Sequence, residues 1–90
     1  MFHVEYTKRF KRDVKRAEVR QKKISRLEKI MKAIEEGRAL PAKMQDHALS
    51  GNWAHHRELH IESDWLLIYR YERQDTVIFV RTGSHSDLFK

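Results

Sequence analysis

Three short stretches in the second half of this 90-residue chain carry the side chains best suited to chemistry: Asp46-His47-Ala48-Leu49, His60-Ile61-Glu62-Ser63-Asp64-Trp65 and Arg81-Thr82-Gly83-Ser84-His85-Ser86-Asp87-Leu88-Phe89. Histidine gives and takes protons near neutral pH, its unperturbed pKa being about 6.5. Arginine is permanently charged and forks onto phosphate, and an aromatic ring offers a face on which a base can stack. Two acid–base groups, one arginine and stacking aromatics suffice, without a metal, for a 2′-hydroxyl to attack its adjacent phosphodiester. Such a reaction leaves a cyclic phosphate and a free 5′-hydroxyl.

Other chemistries fit less well. The chain has no cysteine, hence no thiol nucleophile, no Cys-ligated zinc and no disulfide framework. His56 and His60 would face each other on a helix, but on a strand they lie roughly 13 Å apart, so no metal site and no cofactor is expected. Ser50, Ser63, Ser84 and Ser86 sit in no nucleophile-elbow context. His55 reads as a surface residue. Trp53 and Trp65, taken singly, suit a core as well as a stacking platform.

These groups need elements to hold them. Phe2, Val4 and Tyr6 alternate with His3 and Glu5 at the period of a half-buried strand. Thr7 offers an N-cap hydroxyl to a basic helix with Phe10, Val14 and Ala17 at helical spacing. The pattern loses phase around Gln21–Ile24. Ser25 with Glu28 then reads as a capping box for a second helix carrying Leu27, Ile30, Met31 and Ile34, ended by Gly37 and Pro41. After a connection at 38–52, strands are predicted at about 53–61, 65–72 and 76–82, with polar gaps short enough for antiparallel hairpins. The tail from Gly83 has room for a turn and one helical turn. The expected fold is α+β: a small antiparallel sheet with a helical hairpin on one face, ordered βααβββ plus a tail, as one domain over 1–90. Leu59 and Ile61 share a strand face, so His56, Glu58 and His60 share the opposite one. Parity leaves the direction of Arg81 open.

The net charge of +6 calls for an acidic partner, and it is unevenly spread. Residues 8–38 carry 13 basic and five acidic side chains, whereas 39–90 carry six basic and seven acidic. Five of the six histidines lie in that balanced second half. Apolar runs such as Trp65–Tyr69 are far short of the roughly 20 residues that span a bilayer. Together with an amino end unlike a signal peptide, this predicts a soluble, cytoplasmic protein without membrane partners.

From Lys43 to Phe89 the chain resembles the YafQ branch of the RelE/ParE toxin superfamily, carried by Asp46–Trp53, His60–Tyr69 and Arg81–Phe89. The resemblance extends loosely over the whole chain and implies a RelE-like fold. It implies a toxin of a bacterial type II toxin–antitoxin system, an endoribonuclease that cleaves mRNA in the ribosomal A site without metal. Its implied partners are a cognate antitoxin, the ribosome and mRNA, with operator DNA reached only through the antitoxin. By position, the family's catalytic set falls on His47, His60, Asp64, Arg81 and His85, with Trp65 and Phe89 beside them. One departure is Ala48, where the family's well-known member has proline; alanine there loosens the loop that positions His47.

Within that resemblance, Arg81 is expected to neutralise the pentacovalent phosphorane and His85 to protonate the leaving 5′-oxygen. His60 or His47 takes the 2′-hydroxyl proton, and Asp64 orients a histidine. Trp65 and Phe89 stack on bases or wall the cleft. Lys8, Arg9, Lys11, Arg12, Lys15, Arg16, Arg20, Lys22 and Lys23 form a salt-sensitive docking surface for ribosomal RNA. The main alternative is a non-enzymatic, ParE-like toxin that binds a protein such as DNA gyrase, a branch without the histidine-rich cleft. A DNA-binding helix-turn-helix is disfavoured, since Gln21–Ile24 lacks the glycine turn often found there.

Overall fold

The amino-terminal alternation becomes strand β1 (His3–Tyr6) in the computed structural model, which describes residues 1–89. Thr7 then joins strand to helix. Its hydroxyl accepts the Phe10 N–H at 2.9 Å and donates to the Val80 carbonyl at 2.7 Å, while its own N–H reaches the Phe79 carbonyl at 3.1 Å. One residue thus caps helix α1 (Lys8–Val19) and fastens its start to the last strand of the sheet.

Helix α2 (Ile24–Glu35) begins after a turn in which Gln21 adopts a left-handed φ of 62°, where the helical pattern loses phase. The Ser25–Glu28 capping box does not form. The N-cap is Lys23, without a side-chain cap, because Ile24 is drawn into the helix to pack against the core and leaves Ser25 inside the first turn. The carboxyl end follows expectation: Gly37 has φ +71°, and the Arg38 and Gly37 N–H groups return to the Ala33 and Ile34 carbonyls at 2.9 and 3.0 Å.

Strands β2 (His47–Ala48), β3 (Arg57–Glu62), β4 (Trp65–Glu72) and β5 (Thr76–Gly83) and helix α3 (His85–Leu88) complete the chain. The sheet order is β1-β5-β4-β3-β2. All neighbours are antiparallel except β1 and β5, which run parallel because the helical hairpin and three strands intervene between them. Two expectations shift. The strand predicted from 53 starts at Arg57, since Gly51–Trp53 is a tight 3-10 turn and His55 is left-handed at φ 71°. The two-residue β2 was not anticipated; its length and exposure give no apolar pattern to read.

Both helices pack on one face. Phe10, Ala17, Leu27, Ile30 and Ile34 meet Leu59, Ile61, Trp65, Leu67, Tyr69, Val77 and Phe79. The other face is not bare: Leu66, Ile68 and Leu88 form a second cluster with Leu49, Trp53 and Val80. Residues Trp65 to Tyr69 of β4 are therefore buried without interruption. A bulge supplies the parity that sequence left open. Tyr69 pairs Phe79 and Ile68 pairs Arg81, so Val80 is the extra residue and the alternation reverses beyond it. Thr82, not Arg81, then shares the helix side with Phe79, its hydroxyl accepting the Trp65 indole N–H at 2.9 Å and donating to the Leu66 carbonyl at 2.7 Å.

Leu67 is fully buried within this packing, so truncating it removes apolar contacts on every side. Leu67→Ala is expected to destabilise the fold by about 2–5 kcal/mol, measured as a lowered denaturant midpoint at unchanged slope.

Candidate active site

The carboxyl end of β5 hands the chain to α3, whose four residues are too few to persist by propensity alone. Their geometry is imposed by a capping box: the Ser84 hydroxyl accepts the Asp87 N–H at 3.1 Å, and Asp87 Oδ2 accepts the Ser84 N–H at 2.9 Å. The first helical residue is His85. Its backbone N–H and its ring Nδ1–H both donate to Asp64 Oδ1, at 2.9 and 2.7 Å, from the β3–β4 turn. These backbone and side-chain donors hold the Asp64 carboxyl below the usual carboxylate range. With Nδ1 committed, His85 presents Nε2 outward, and its side chain is 54% exposed.

His60 reaches the same spot from β3, on the face opposite the helices, with its ring centroid 5.7 Å from that of His85. Its Nδ1 lies 3.4 Å from the Ser63 carbonyl. Phe89 stands 6.4 Å from His85 and edge-on to Trp53 at 6.0 Å, and remains exposed. His60, Asp64, His85 and Phe89 are thus gathered as the topology requires.

His47 is placed one row away. Its Nδ1 is 2.6 Å from the Gln45 carbonyl, and its Nε2 lies 3.4 Å from Oε2 of Glu58, its cross-strand neighbour. The preceding loop is held by Asp46, which accepts the Tyr69 hydroxyl at 2.9 Å and Arg57 Nε at 3.1 Å. Burial, reinforced by Asp46, pushes the Tyr69 phenol well above its ordinary range, so Tyr69 acts as a fixed donor.

Arg81 is only 8% exposed. Nε and Nη2 bind Asp13 Oδ2 and Oδ1 of α1 at 2.7 and 3.2 Å, leaving Nη1 without a partner among the described residues. Arg81 borders an open groove with Arg9, Arg12 and Arg16. A hollow of about 250 Å³, lined by Arg20, Lys22, Asp64 and Ser84 among others, shares Asp13 and Arg16 with that groove. Asp13 and Arg16 thus border both the groove that Arg81 lines and the hollow that Asp64 lines; His85 lines neither.

Of the two roles expected of Trp65, stacking on a base is the one its burial rules out. It is 1% exposed, and its indole is bonded to Thr82 within the core. It has no free face for a base and serves as the floor of the hollow, beneath Lys22 Nζ at 5.8 Å. The basic helices also divide. Arg16 and Arg20 pair with Asp87, and Lys22 with Glu62. Lys8, Arg9, Lys11, Arg12, Lys15 and Lys23 are exposed without an acidic partner among the described residues.

Two residues escaped the sequence reading. Asp13 falls with Phe10, Val14 and Ala17 on the apolar face of α1, an acid at a core position, which is a legible signal. Glu58 shares strand parity with His60. It is 6% exposed, and its Oε1 finds no partner among the described residues.

Residues 2–90 match the family model described as the bacterial toxin of type II toxin–antitoxin system, YafQ. The chain belongs to the YafQ family. It is 39% identical over 87 residues to the mRNA interferase toxin YafQ of Escherichia coli K12, covering 96% of this chain and 94% of that one. The crystal structure of YafQ from E. coli BL21(DE3) superposes with a TM-score of 0.94 at 35% identity over the whole of both chains. YafQ in the crystal structure of the E. coli DinJ–YafQ complex gives 0.90 at 37%, again over both whole chains. The expected family and α+β fold are thereby borne out. No helix among the described residues is long and apolar enough to cross a membrane.

The Arg20 fork, with help from Ser84 and Arg16, holds Asp87 far below the ordinary carboxylate range, and Asp64 is lowered too. An unfolded aspartate takes up its proton near pH 3.9, above both folded values. The unfolded chain thus binds more protons in that region, and stability rises with pH there. Stability is expected to be level above about pH 5 and to fall below about pH 4, as measured by denaturant unfolding from pH 2 to 7. Asp87→Asn should shallow that fall.

Proposed function

We propose that this toxin is an endoribonuclease that cleaves mRNA in the ribosomal A site by acid–base catalysis on the substrate's own 2′-hydroxyl, with no metal taking part. The observation that carries the reading is the Asp64–His85 pair with His60 beside it. One imidazole is locked in a single tautomer with Nε2 outward, and a second stands within the span of one phosphodiester. The mRNA interferase activity named for the E. coli relative supports the same substrate class.

His85, its ring held by Asp64, protonates the leaving 5′-oxygen. His60 takes the 2′-hydroxyl proton, and His47, backed by Glu58, is the second candidate for that step. Arg81, two of whose nitrogens are immobilised by Asp13, meets the phosphorane with charge already in place, so little reorganisation is needed in the transition state. Phe89 offers the stacking face that Trp65 lacks. Lys8, Arg9, Lys11, Arg12, Lys15 and Lys23 dock on ribosomal RNA. A cognate antitoxin holds the toxin inactive, as the E. coli DinJ–YafQ complex suggests, and any operator contact passes through it. The site of action is the cytoplasm. The ParE-like alternative leaves the pinned His85 tautomer without a purpose.

His85 is exposed, so His85→Ala should fold normally while losing about 10²–10⁴ in cleavage rate. The measurement is mapping of new RNA ends on translating ribosomes: wild type yields 5′-hydroxyl ends within the A-site codon, and the variant does not. Equal cleavage by both refutes the assignment.

Docking has its own measurement. Reversing Lys8, Arg12 and Lys15 to glutamate should weaken ribosome binding and flatten its dependence on salt. His85 should keep its Asp64-bound ring signals. Unchanged binding across a salt titration would remove these residues from the docking surface.

A further inference from the structure

Arg16, Arg20 and Asp87 form a group the catalytic reading leaves unused. Arg20 Nη1 and Nη2 lie 2.8 and 3.4 Å from the two Asp87 oxygens, and Arg16 Nη2 lies 3.5 Å from Oδ2. The same Arg16 Nη2 is 3.1 Å from Asp13 Oδ1, and Asp13 holds Arg81. Charges therefore alternate from Arg81 through Asp13, Arg16 and Asp87 to Arg20. The Asp87 side chain is 14% exposed and that of Arg20 47%, so the acid is held from within while one of its arginines faces solvent. Gly83 makes the approach possible: a Cβ there would stand 2.9 Å from Asp87 Oδ2 and 3.0 Å from Arg16 Nη2.

We propose that Arg16, Arg20 and Asp87 are positioning residues, a clamp by which α1 fixes the short helix α3 so that His85 meets Asp64, with Arg16 tying that placement to Arg81. This rests on the nuclease reading for its consequence, though not for its geometry. The helix has four residues. One apolar anchor, Leu88, and the capping box hold it from within the tail. The clamp is its only ionic tie to α1 among the described residues, and it acts on the side chain that also closes the capping box. Arg16 and Arg20 are thereby reassigned from docking to internal use.

Asp87→Asn keeps the shape and the oxygen that accepts the Ser84 N–H while removing the charge that grips the arginines. Docking and positioning then predict opposite signs. Loss of an acid raises the net positive charge, so ribosome binding stays equal or tightens. Cleavage by the bound toxin should nevertheless fall about tenfold or more, because His85 drifts from its productive place. Arg20→Gln should reduce bound-state cleavage similarly, and the double variant should be no slower than Asp87→Asn alone. The non-catalytic readout is the ring nitrogen NMR spectrum of His85: one Nδ1–H tautomer in the wild type and a mixture in Asp87→Asn, with the remaining amide spectrum folded. Wild-type cleavage and an unaltered His85 ring in Asp87→Asn would overturn the clamp. So would Arg20→Gln losing ribosome binding at an unchanged bound-state rate. If the wild type cuts no mRNA, the nuclease reading fails by itself. The His85 ring signals then decide the clamp alone, a mixture supporting it and a single tautomer overturning it.

Discussion

A carboxylate sealed into the helix–sheet interface organises the functional end of this molecule. Asp13 is 5% exposed and receives four donors: Arg81 Nε at 2.7 Å, Arg81 Nη2 at 3.2 Å, Arg16 Nη2 at 3.1 Å and the Thr82 N–H at 3.1 Å. Burying one charge without such partners costs several kcal/mol. The full complement of donors is what makes the position tolerable, and it fixes α1 against β5. Thr82 is bound at the same time to the Trp65 indole, so the charged cluster and the apolar core share a wall. Removing the acid would strand the guanidinium of a residue that is only 8% exposed. Here the positioning of Arg81 and the packing of the fold are one requirement.

The second constraint is the bulge at Val80. Without the extra residue, Arg81 would follow Phe79 onto the helix face and Thr82 would face the far side. With it, Thr82 satisfies Trp65, and the long Arg81 side chain stands in register with Ile68 yet reaches Asp13 of α1. A shift of one residue in a strand exchanges its faces, and here the exchange puts a polar pair where the core needs a hydrogen bond. The strand then leads directly into the glycine, cap and helix that carry His85.

Local periodicity and turn chemistry made the helices, the hairpins and the Gly37 stop readable, because each depends on residues within one or two turns of one another. The His60–Asp64–His85 gathering was also readable, since a meander must bring the β3–β4 turn beside the end of β5. Three features resisted. The bulge leaves no mark in the apolar pattern when both faces of β5 carry bulk. The fate of Arg81 depended on an acid 68 positions away. Trp65 looked equally suited to stacking and to the core, and a single hydrogen bond to Thr82 decided it. Asp13 was the readable miss. An acid in register with Phe10, Val14 and Ala17 announces a buried partner, though not which one.

The positive charge on the front helices consequently falls into two groups that respond differently to solvent. Lys8, Arg9, Lys11, Arg12, Lys15 and Lys23 are exposed, and at physiological ionic strength their fields decay over roughly 8 Å. The Asp13–Arg81 pair is largely buried beside the groove, and solvent ions screen it less. Rising salt therefore removes long-range attraction to a polyanion well before it disturbs the geometry of Arg81. The Arg20 side chain, 47% exposed while Asp87 is 14% exposed, falls between these limits. Burial, more than position along the chain, separates the exposed positive charge from the charge paired internally. Counting charges along the sequence could locate the basic segment, but only the folded structure distinguishes the arginines left exposed from those already bound to aspartates.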